Sequence, residues 1–345
     1  MQTAKLGTAL VIGGSGFLGS HIVQRLLDED SVSHVAIVSR NPDWIDDHRV
    51  SLHSIDIASR STIQSLFANV QPTVIIHVAC PQRHSPRHVL YDANVTGTGH
   101  LLDAAKQCKS TKAFIYTSSD SVCHPSPTKQ ITEAECQLWD EAHYNNNYGL
   151  TKALADALVL RSNCPDLATG CIRVPLVYGE RDTAFTLQVL DTIEKKQHTN
   201  QIGPNTNIME TVYAGNAAHA HVLLARALVS STPDAAGQAF FITDDRPMPF
   251  FDFVRMCYAA AGHPVAAADI KIVPFWVVKT MASVGEWVYW VGTLGIVQPK
   301  MRRQDIDHLA GGCWWSLEKA QRVLRYRPVL DLDEAVRRSL EWAGS

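Results

Sequence analysis

No stretch of this sequence has the spacing of a metal site. Its eight cysteines, Cys80, Cys108, Cys123, Cys136, Cys164, Cys171, Cys257 and Cys313, include no Cys-x-x-Cys pair. Neither a zinc site nor a dithiol redox motif is therefore expected. Scattered through apolar contexts, they read as reduced, mostly buried thiols of a cytoplasmic chain. His77, His124, His143, His219 and His221 have no acid or cysteine at ligand spacing; they read as structural histidines, and no metal is assigned. Basic blocks are missing too, and the formal net charge is −3, which leaves nothing to attract nucleic acid. There is no internal repeat and no low-complexity segment. The first residues run almost directly into Ala9-Leu10-Val11-Ile12 without a basic stretch leading into an apolar one, so a secretory signal is not expected.

What is present is ample apolar material: 46% of the 345 residues are hydrophobic and 19% charged. That is enough for a full core, in about two domains or one large body with a smaller lobe. Leu10-Val11-Ile12, His34-Val35-Ala36-Ile37-Val38, Val74-Ile75-Ile76-His77-Val78 and Ala113-Phe114-Ile115-Tyr116 read as buried strands. Amphipathic stretches such as 21–27 and 99–106 lie between them. Cys171-Ile172-Arg173-Val174 and Phe240-Phe241-Ile242 read as later strands. Strand–helix alternation predicts an α/β fold, a parallel sheet with helices on both faces.

Gly13-Gly14-Ser15-Gly16-Phe17-Leu18-Gly19 follows the first strand and opens a helix. Gly13, Gly16 and Gly19 let backbone N–H groups approach a pyrophosphate, and the helix N-terminus adds a favourable dipole. In that context the turn predicts dinucleotide binding on a doubly wound Rossmann sheet, with Phe17 and Leu18 among the contacts. An acid at the end of the second strand would hold the ribose hydroxyls of NAD, and an arginine would accept the 2′-phosphate of NADP. The chain has Ser39-Arg40 there, with Asp43 arriving only after Pro42, so Arg40 favours NADP over NAD by charge. Asp56, followed by Ile57, is placed to meet the adenine. Residues 1–180 are expected to form the dinucleotide half and 181–345 a smaller substrate lobe, with the chain free to cross between them.

Tyr148-Gly-Leu-Thr-Lys152 begins a helical stretch, and an i, i+4 pair shares one helix face. A phenol titrates near pH 10, too high for a base at neutrality, and a neighbouring ammonium would lower it. Tyr148 then becomes a workable acid/base, and Lys152 also serves to hold the nicotinamide ribose. Thr117-Ser118-Ser119 closes a strand at the sheet edge where open α/β sheets bind ligands. Ser119 is expected to hydrogen-bond the substrate oxygen, with Ser121 as the fallback.

Further residues fall into one pattern across nearly the whole chain: Asn94-Val95-Thr-Gly97-Thr98, Tyr116-Thr-Ser-Ser119, Val177-Tyr-Gly179-x-Arg181-Asp182, Val212-Tyr-Ala-Gly-Asn216 with His221, Gly237-Gln-Ala-Phe-Phe-Ile-Thr243-Asp-Asp and Arg325-Tyr-Arg-Pro328. With the glycine turn, Asp56 and the Tyr148–Lys152 pair, this resembles the extended short-chain dehydrogenase/reductase superfamily. Within it the chain is most similar to the 3β-hydroxysteroid dehydrogenase/isomerase branch, including sterol-4α-carboxylate 3-dehydrogenases. The resemblance implies oxidation of a secondary hydroxyl on a fused-ring sterol, steroid or terpenoid/meroterpenoid. Tyr148 would be the acid/base, Lys152 its electrostatic helper, Ser119 the oxygen anchor and Asn94 a support for the active-site helix. Members near this branch often carry Asp where Ser39 stands, and their Arg-Pro pair reads Arg173-Val174-Pro175 here. The competing readings are an NADPH-dependent ketone reductase of a smaller substrate, a nucleotide-sugar epimerase, and a nucleotide-binding scaffold without catalysis. An epimerase needs a polar, basic site for a diphosphate, which the apolar 270–300 region does not suit. The retained Ser119, Tyr148 and Lys152 argue against the scaffold.

Residues 272–298 carry only two charges, Lys279 and Glu286. A spanning helix needs about 20 mostly apolar residues; here 280–297 is interrupted by Glu286 and glycines. Three readings stay open: a core helix of the substrate lobe, a helix lying on an intracellular membrane surface through Trp276, Trp287, Tyr289 and Trp290, and a spanning helix. Trp314-Trp315 reads as buried core. A small hydrophobic substrate is the expected partner. The resemblance admits a homodimer, which the residues themselves do not specify.

Overall fold

The computed structural model describes residues 5–44, 47–293 and 303–344. In chain order the first half contains β1 (Gly7–Ile12), α1 (Phe17–Leu27), β2 (Val32–Ser39), β3 (Val50–Ser54), α2 (Arg60–Val70), β4 (Val74–His77), α3 (Arg87–Tyr91), α4 (Thr98–Gln107), β5 (Ala113–Ser119), β6 (Ser126–Ile131), α5 (Asn147–Arg161), β7 (Ala168–Val174) and β8 (Leu176–Tyr178). The second half adds α6 (Phe185–Glu194), β9 (Asn200–Ile202), β10 (Thr211–Tyr213), α7 (Ala214–Val229), β11 (Gln238–Phe241), α8 (Phe250–Ala260), β12 (Lys271–Val273), α9 (Phe275–Thr293), α10 (Arg303–Gly311), β13 (Cys313–Trp315) and α11 (Leu332–Gly344).

Seven strands form one sheet in the order β11-β7-β5-β4-β1-β2-β3, every neighbouring pair parallel. The winding reverses between β1 and β4, the doubly wound arrangement whose crevice lies at the carboxyl ends of the strands. β4 and β5 are buried at every position because helices cover both faces, so these strands read as continuous apolar runs. On one face α1 and α7 pack through Ile22, Val23, Ala217, Ala218 and Leu224 onto Val11 and Ile37. On the other, α2, α4 and α5 bring Leu66, Phe67, Leu101, Ala155 and Val159 onto Leu10, Ile12 and Phe114. β3 was not expected as a strand: it is the edge strand, and Val-Ser-Leu-His-Ser leaves Leu52 45% exposed.

The chain leaves the sheet after β7, pairs β8 with β10 in a separate two-stranded ribbon, returns for α7 and β11, and leaves again. β11 pairs with β7, so residues 238–241 extend the nucleotide half from beyond position 180. The smaller lobe gathers α6, α8 and α11 around Tyr178, Val189, Phe253, Tyr258, Leu332 and Val336. Asn216 and Asp244 join the two parts. Asp244 accepts from the Tyr178 hydroxyl at 2.8 Å and from Asn216 Nδ2 at 2.8 Å. Asn216 Oδ1 in turn accepts from the backbone of Val329 and Leu330.

Two expectations are corrected here. Cys123 and Cys136 are joined in a disulfide, with Cα atoms 5.8 Å apart across 13 residues. The reading of all eight cysteines as reduced thiols fails for this pair, and with it that pair's argument for a reducing compartment. The segment after β5 turns back on itself and brings the two together, a long-range contact that spacing does not reveal. The second correction concerns 272–298, of which 294–298 lie outside the described residues. α9 buries Val278 and Ala282 but leaves Trp276, Met281, Val284 and Trp287 between 56% and 71% exposed. Over its described side chains, α9 is a surface helix whose outward residues are mostly apolar, with Lys279 and Thr280 among them, and the core-helix reading does not hold there. Among the described residues, no helix is long and apolar enough to cross a membrane.

Candidate active site

The glycine turn is built as its spacing predicts. Gly13 has φ +89°, where an L side chain is strained, and a Cβ on it would lie 2.7 Å from the Ala79 backbone. A Cβ on Gly19 would lie 2.0 Å from the Gly13 carbonyl oxygen. Only glycine allows α1 to start this close to β1. Gly16 is the N-cap of α1, offers no capping side chain, and no acid follows in the first turn. The helix's first N–H groups are therefore left for an outside anion, as a dinucleotide pyrophosphate requires. Phe17 and Leu18 form the first turn of α1 itself. Arg40 is exposed just beyond β2, and its carbonyl accepts from Ser54 Oγ at 2.8 Å. The Asp43 N–H donates to Ser15 Oγ at 2.9 Å, which folds the segment after Arg40 against the glycine turn. Asp56 is exposed and uses Oδ1 to accept from the Ala58 N–H at 2.9 Å. Ile57 is buried and packs where Gly97 has no side chain.

β1, β4 and β5 end at the same sheet edge, which puts the catalytic candidates beside this turn. Asn146 caps α5 by accepting from the Gly149 N–H at 2.7 Å, setting Tyr148 in the first turn. A Cβ on Gly149 would stand 2.6 Å from the Ser121 carbonyl, so α5 rests directly on the turn that follows β5. Ser119 Oγ accepts from the Ser121 N–H at 3.1 Å, donates to Asp120 Oδ1 at 3.3 Å, and stands close enough to the Tyr148 phenol to favour its ionised form. Ser121 turns its hydroxyl to the same Asp120 oxygen at a longer 3.5 Å.

Two buried contacts fix α5. Asp156 and Arg173 form a bidentate pair, at 3.0 and 2.8 Å, with almost no solvent access on either side. Asn94 donates from Nδ2 to Thr151 Oγ1 at 3.1 Å, so it does support the helix that carries Tyr148 and Lys152. The Asn94 Oδ1 is buried beside the Cys80 thiol, whose pKa desolvation raises.

The electrostatics differ from expectation. Desolvation holds the Tyr148 phenol well above its usual value, reinforced by the nearby Cys80. The positive charge that opposes this is that of Arg83, aided by the Ser119 hydroxyl. The Lys152 ammonium, itself lowered by desolvation, donates to the Thr117 carbonyl and lies 4.2 Å from the centre of the Tyr116 ring. Arg83 instead lies over the Tyr148 ring, 5.9 Å from its centroid. Two histidines complete the scaffold. His77 bonds Thr98 and is lowered to about 3 by burial; His221 bonds Thr117 and the Ala217 carbonyl and is lowered to about 4. Both act as neutral hydrogen-bonding groups.

Residues 10–271 match the model of the 3-beta hydroxysteroid dehydrogenase/isomerase family. The chain belongs to that family. Among curated members it is 43% identical to a decarboxylating sterol-4-alpha-carboxylate 3-dehydrogenase of Gibberella zeae, across 83% of this chain and 96% of that one. A Schizosaccharomyces pombe protein of the same name is 32% identical, covering 98% and 97%. The fold is shared with the dTDP-glucose 4,6-dehydratase of Bacillus anthracis solved with NAD (TM-score 0.73, 18% identity, 98% and 96% covered). It is shared equally with the UDP-glucose 4-epimerase of Thermotoga maritima (TM-score 0.71, 16% identity, 97% and 98% covered).

Within this family member the site also holds residues that the sequence reading passed over. Arg83 sits in an acid-free stretch, Pro-Gln-Arg-His-Ser-Pro-Arg-His, after β4; its run of bases was the available signal. Asp120, next to Ser119, is buried and accepts from the Trp315 indole at 3.3 Å. That bond ties the turn after β5 to β13. Trp315 stacks on Phe241 at 4.5 Å, as buried core.

Proposed function

We propose that this protein oxidises the 3-hydroxyl of a hydrophobic polycyclic alcohol, a sterol that carries a carboxylate on the neighbouring carbon. Its hydride acceptor is a nicotinamide dinucleotide. The observation that carries this reading is the meeting of Tyr148 and Ser119 beside the uncapped start of α1. It is supported by family membership and by relatives named as sterol-4-alpha-carboxylate 3-dehydrogenases, decarboxylating.

Gly13, Gly16 and Gly19 with the first N–H groups of α1 would hold the pyrophosphate, Asp56 and Ile57 would border the adenine, and Lys152 would meet the nicotinamide ribose. Arg40, with no acid at the end of β2, favours NADP over NAD. When bound, the dinucleotide supplies the two-electron oxidant. Ser119 would position the substrate oxygen, and Tyr148, ionised to phenolate by the positive charge of Arg83 and of a bound nicotinamide, would take its proton as the carbonyl forms. A ketone beside a carboxylated carbon is a β-keto acid. Its carboxyl leaves as carbon dioxide, the bonding electron pair passes into an enolate, and the enolate is reprotonated; no further residue is required. The exposed Trp276, Met281, Val284 and Trp287 on α9 support docking on a membrane surface, from which a lipid-like substrate would enter.

The test is oxidation of a 3β-hydroxysteroid-4-carboxylic acid, followed by nicotinamide absorbance with NAD⁺ and NADP⁺ in turn. Wild-type protein should turn over, faster with NADP⁺. Tyr148→Phe should bind dinucleotide normally and lose about a thousandfold in kcat. A Tyr148→Phe enzyme of near-normal activity would refute the assignment.

A further inference from the structure

We propose that Arg83 is the residue that binds the substrate's carboxylate, an inference that rests on the reaction proposed above and assigns its acid-recognising group. The Arg83 guanidinium lies 5.9 Å from the centre of the Tyr148 ring. Its Nε is closed off from solvent and has no hydrogen-bond partner, and no ion pair to Arg83 is present among the described residues. A buried guanidinium nitrogen left unpaired is costly, and the cost is removed when an anion arrives.

The position fits the chemistry of a β-hydroxy acid. With the hydroxyl oxygen held between Tyr148 and Ser119, a carboxylate on the adjacent carbon would lie close to the phenol, whose ring Arg83 overlies. A guanidinium offers parallel N–H donors that match the two oxygens of a carboxylate. The surroundings strengthen the selection. Residues 81–91 contain Arg83, His84, Arg87 and His88 and no acid, in a chain whose formal net charge is −3. Arg87 lies over the Tyr144 ring, 5.8 Å from its centroid, and His84 is held by Gln304 of α10 at 2.6 Å. The loop is thereby anchored at the mouth of the site. The other groups facing the phenol, the Asp120 carboxylate and the neutral Cys80 thiol, offer an anion no attraction, which leaves Arg83 as its counter-charge.

Arg83 is a specificity-determining residue in this scheme, and its test compares an acid with its uncharged ester. The 3β-hydroxysteroid-4-carboxylic acid and its methyl ester are titrated into dinucleotide-loaded wild type, Arg83→Met and Arg83→Lys. Equilibrium binding and turnover are measured separately. Arg83→Met should weaken binding of the acid about tenfold or more relative to the ester and raise its KM in step; Arg83→Lys should recover part of the loss. Circular dichroism and thermal denaturation report that the variants are folded, and quenching of intrinsic fluorescence reads their dinucleotide affinity. If acid and ester weaken by the same factor, Arg83 acts on Tyr148 and not on the carboxylate. If dinucleotide affinity falls instead, Arg83 belongs to the cofactor site. Either result overturns the proposal. Arg83-dependent binding of the acid without turnover by wild type would sink the proposed reaction and leave the carboxylate site standing.

Discussion

The carboxyl edge of the central sheet and the helix α9 are opposite solutions to the same excess of apolar residues. β4 and β5 bury every side chain, and the groups that emerge at their ends are held by buried pairs and caps. α9 is equally apolar in sequence, yet it buries only Val278 and Ala282 among its described side chains and turns two tryptophans outward. The first arrangement fixes atoms to the tolerance that proton transfer demands. The second presents a broad apolar surface that needs no particular geometry, only contact. On the function proposed above, chemistry belongs to the rigid region and access to the exposed one.

The contrast is broken most severely at Asp156. Asp156→Ala would leave the Arg173 guanidinium buried without its partner, and unfolding free energy should fall by about 3–5 kcal/mol. Chemical denaturation measures it; a loss below about 1 kcal/mol would mean that this pair does not anchor α5.

A smaller effect is expected at Glu210, a buried carboxyl close to Asp244, Asp245 and Asp120. Desolvation raises it from 4.5 to about 8. Between those values the folded protein keeps a proton that the unfolded chain has released. Stability from this group is therefore fully present below about pH 4.5 and declines as pH rises through 8. Glu210→Gln removes the titration, so the difference between wild-type and variant denaturation midpoints should shift across that window. Parallel curves would show that Glu210 ionises normally. Asp244, raised to about 6 by desolvation, adds the same sign of dependence to both proteins.

The smallest change in stability is expected at the outer face of α9. Replacing Trp276 and Trp287 together by serine should move unfolding by no more than about 0.5 kcal/mol each, because both side chains already face solvent. Co-sedimentation with phosphatidylcholine vesicles should drop sharply. Unchanged sedimentation would assign the exposed face some other purpose.

Much of the rigid region was legible in the sequence, because its determinants are local. Burial on both faces turns strands into apolar runs, the glycine turn encodes its own geometry, and a strand end such as Ser119 lies by rule at the ligand edge. Tyr148 and Lys152 were legible as a pair on one helix face. Their division of labour was not, since it depends on Tyr116 and Thr117 drawing the ammonium away. Arg83 and the Cys123–Cys136 disulfide were hidden for the same reason: each meets its neighbour only after the chain has folded. For α9, hydrophobicity alone did not distinguish an inward from an outward face. The partners that decide it come from elsewhere in the chain.

The return of β11 to the side of β7, with α7 laid across α1, makes the molecule indivisible in a practical sense. A fragment ending near residue 180 would lose an outer strand and the helix shielding the back of the nucleotide cradle. Domain exchange between relatives would therefore have to transplant two separate stretches of chain at once. Variation in what the enzyme accepts is more readily gained by altering loops and exposed helices than by swapping modules.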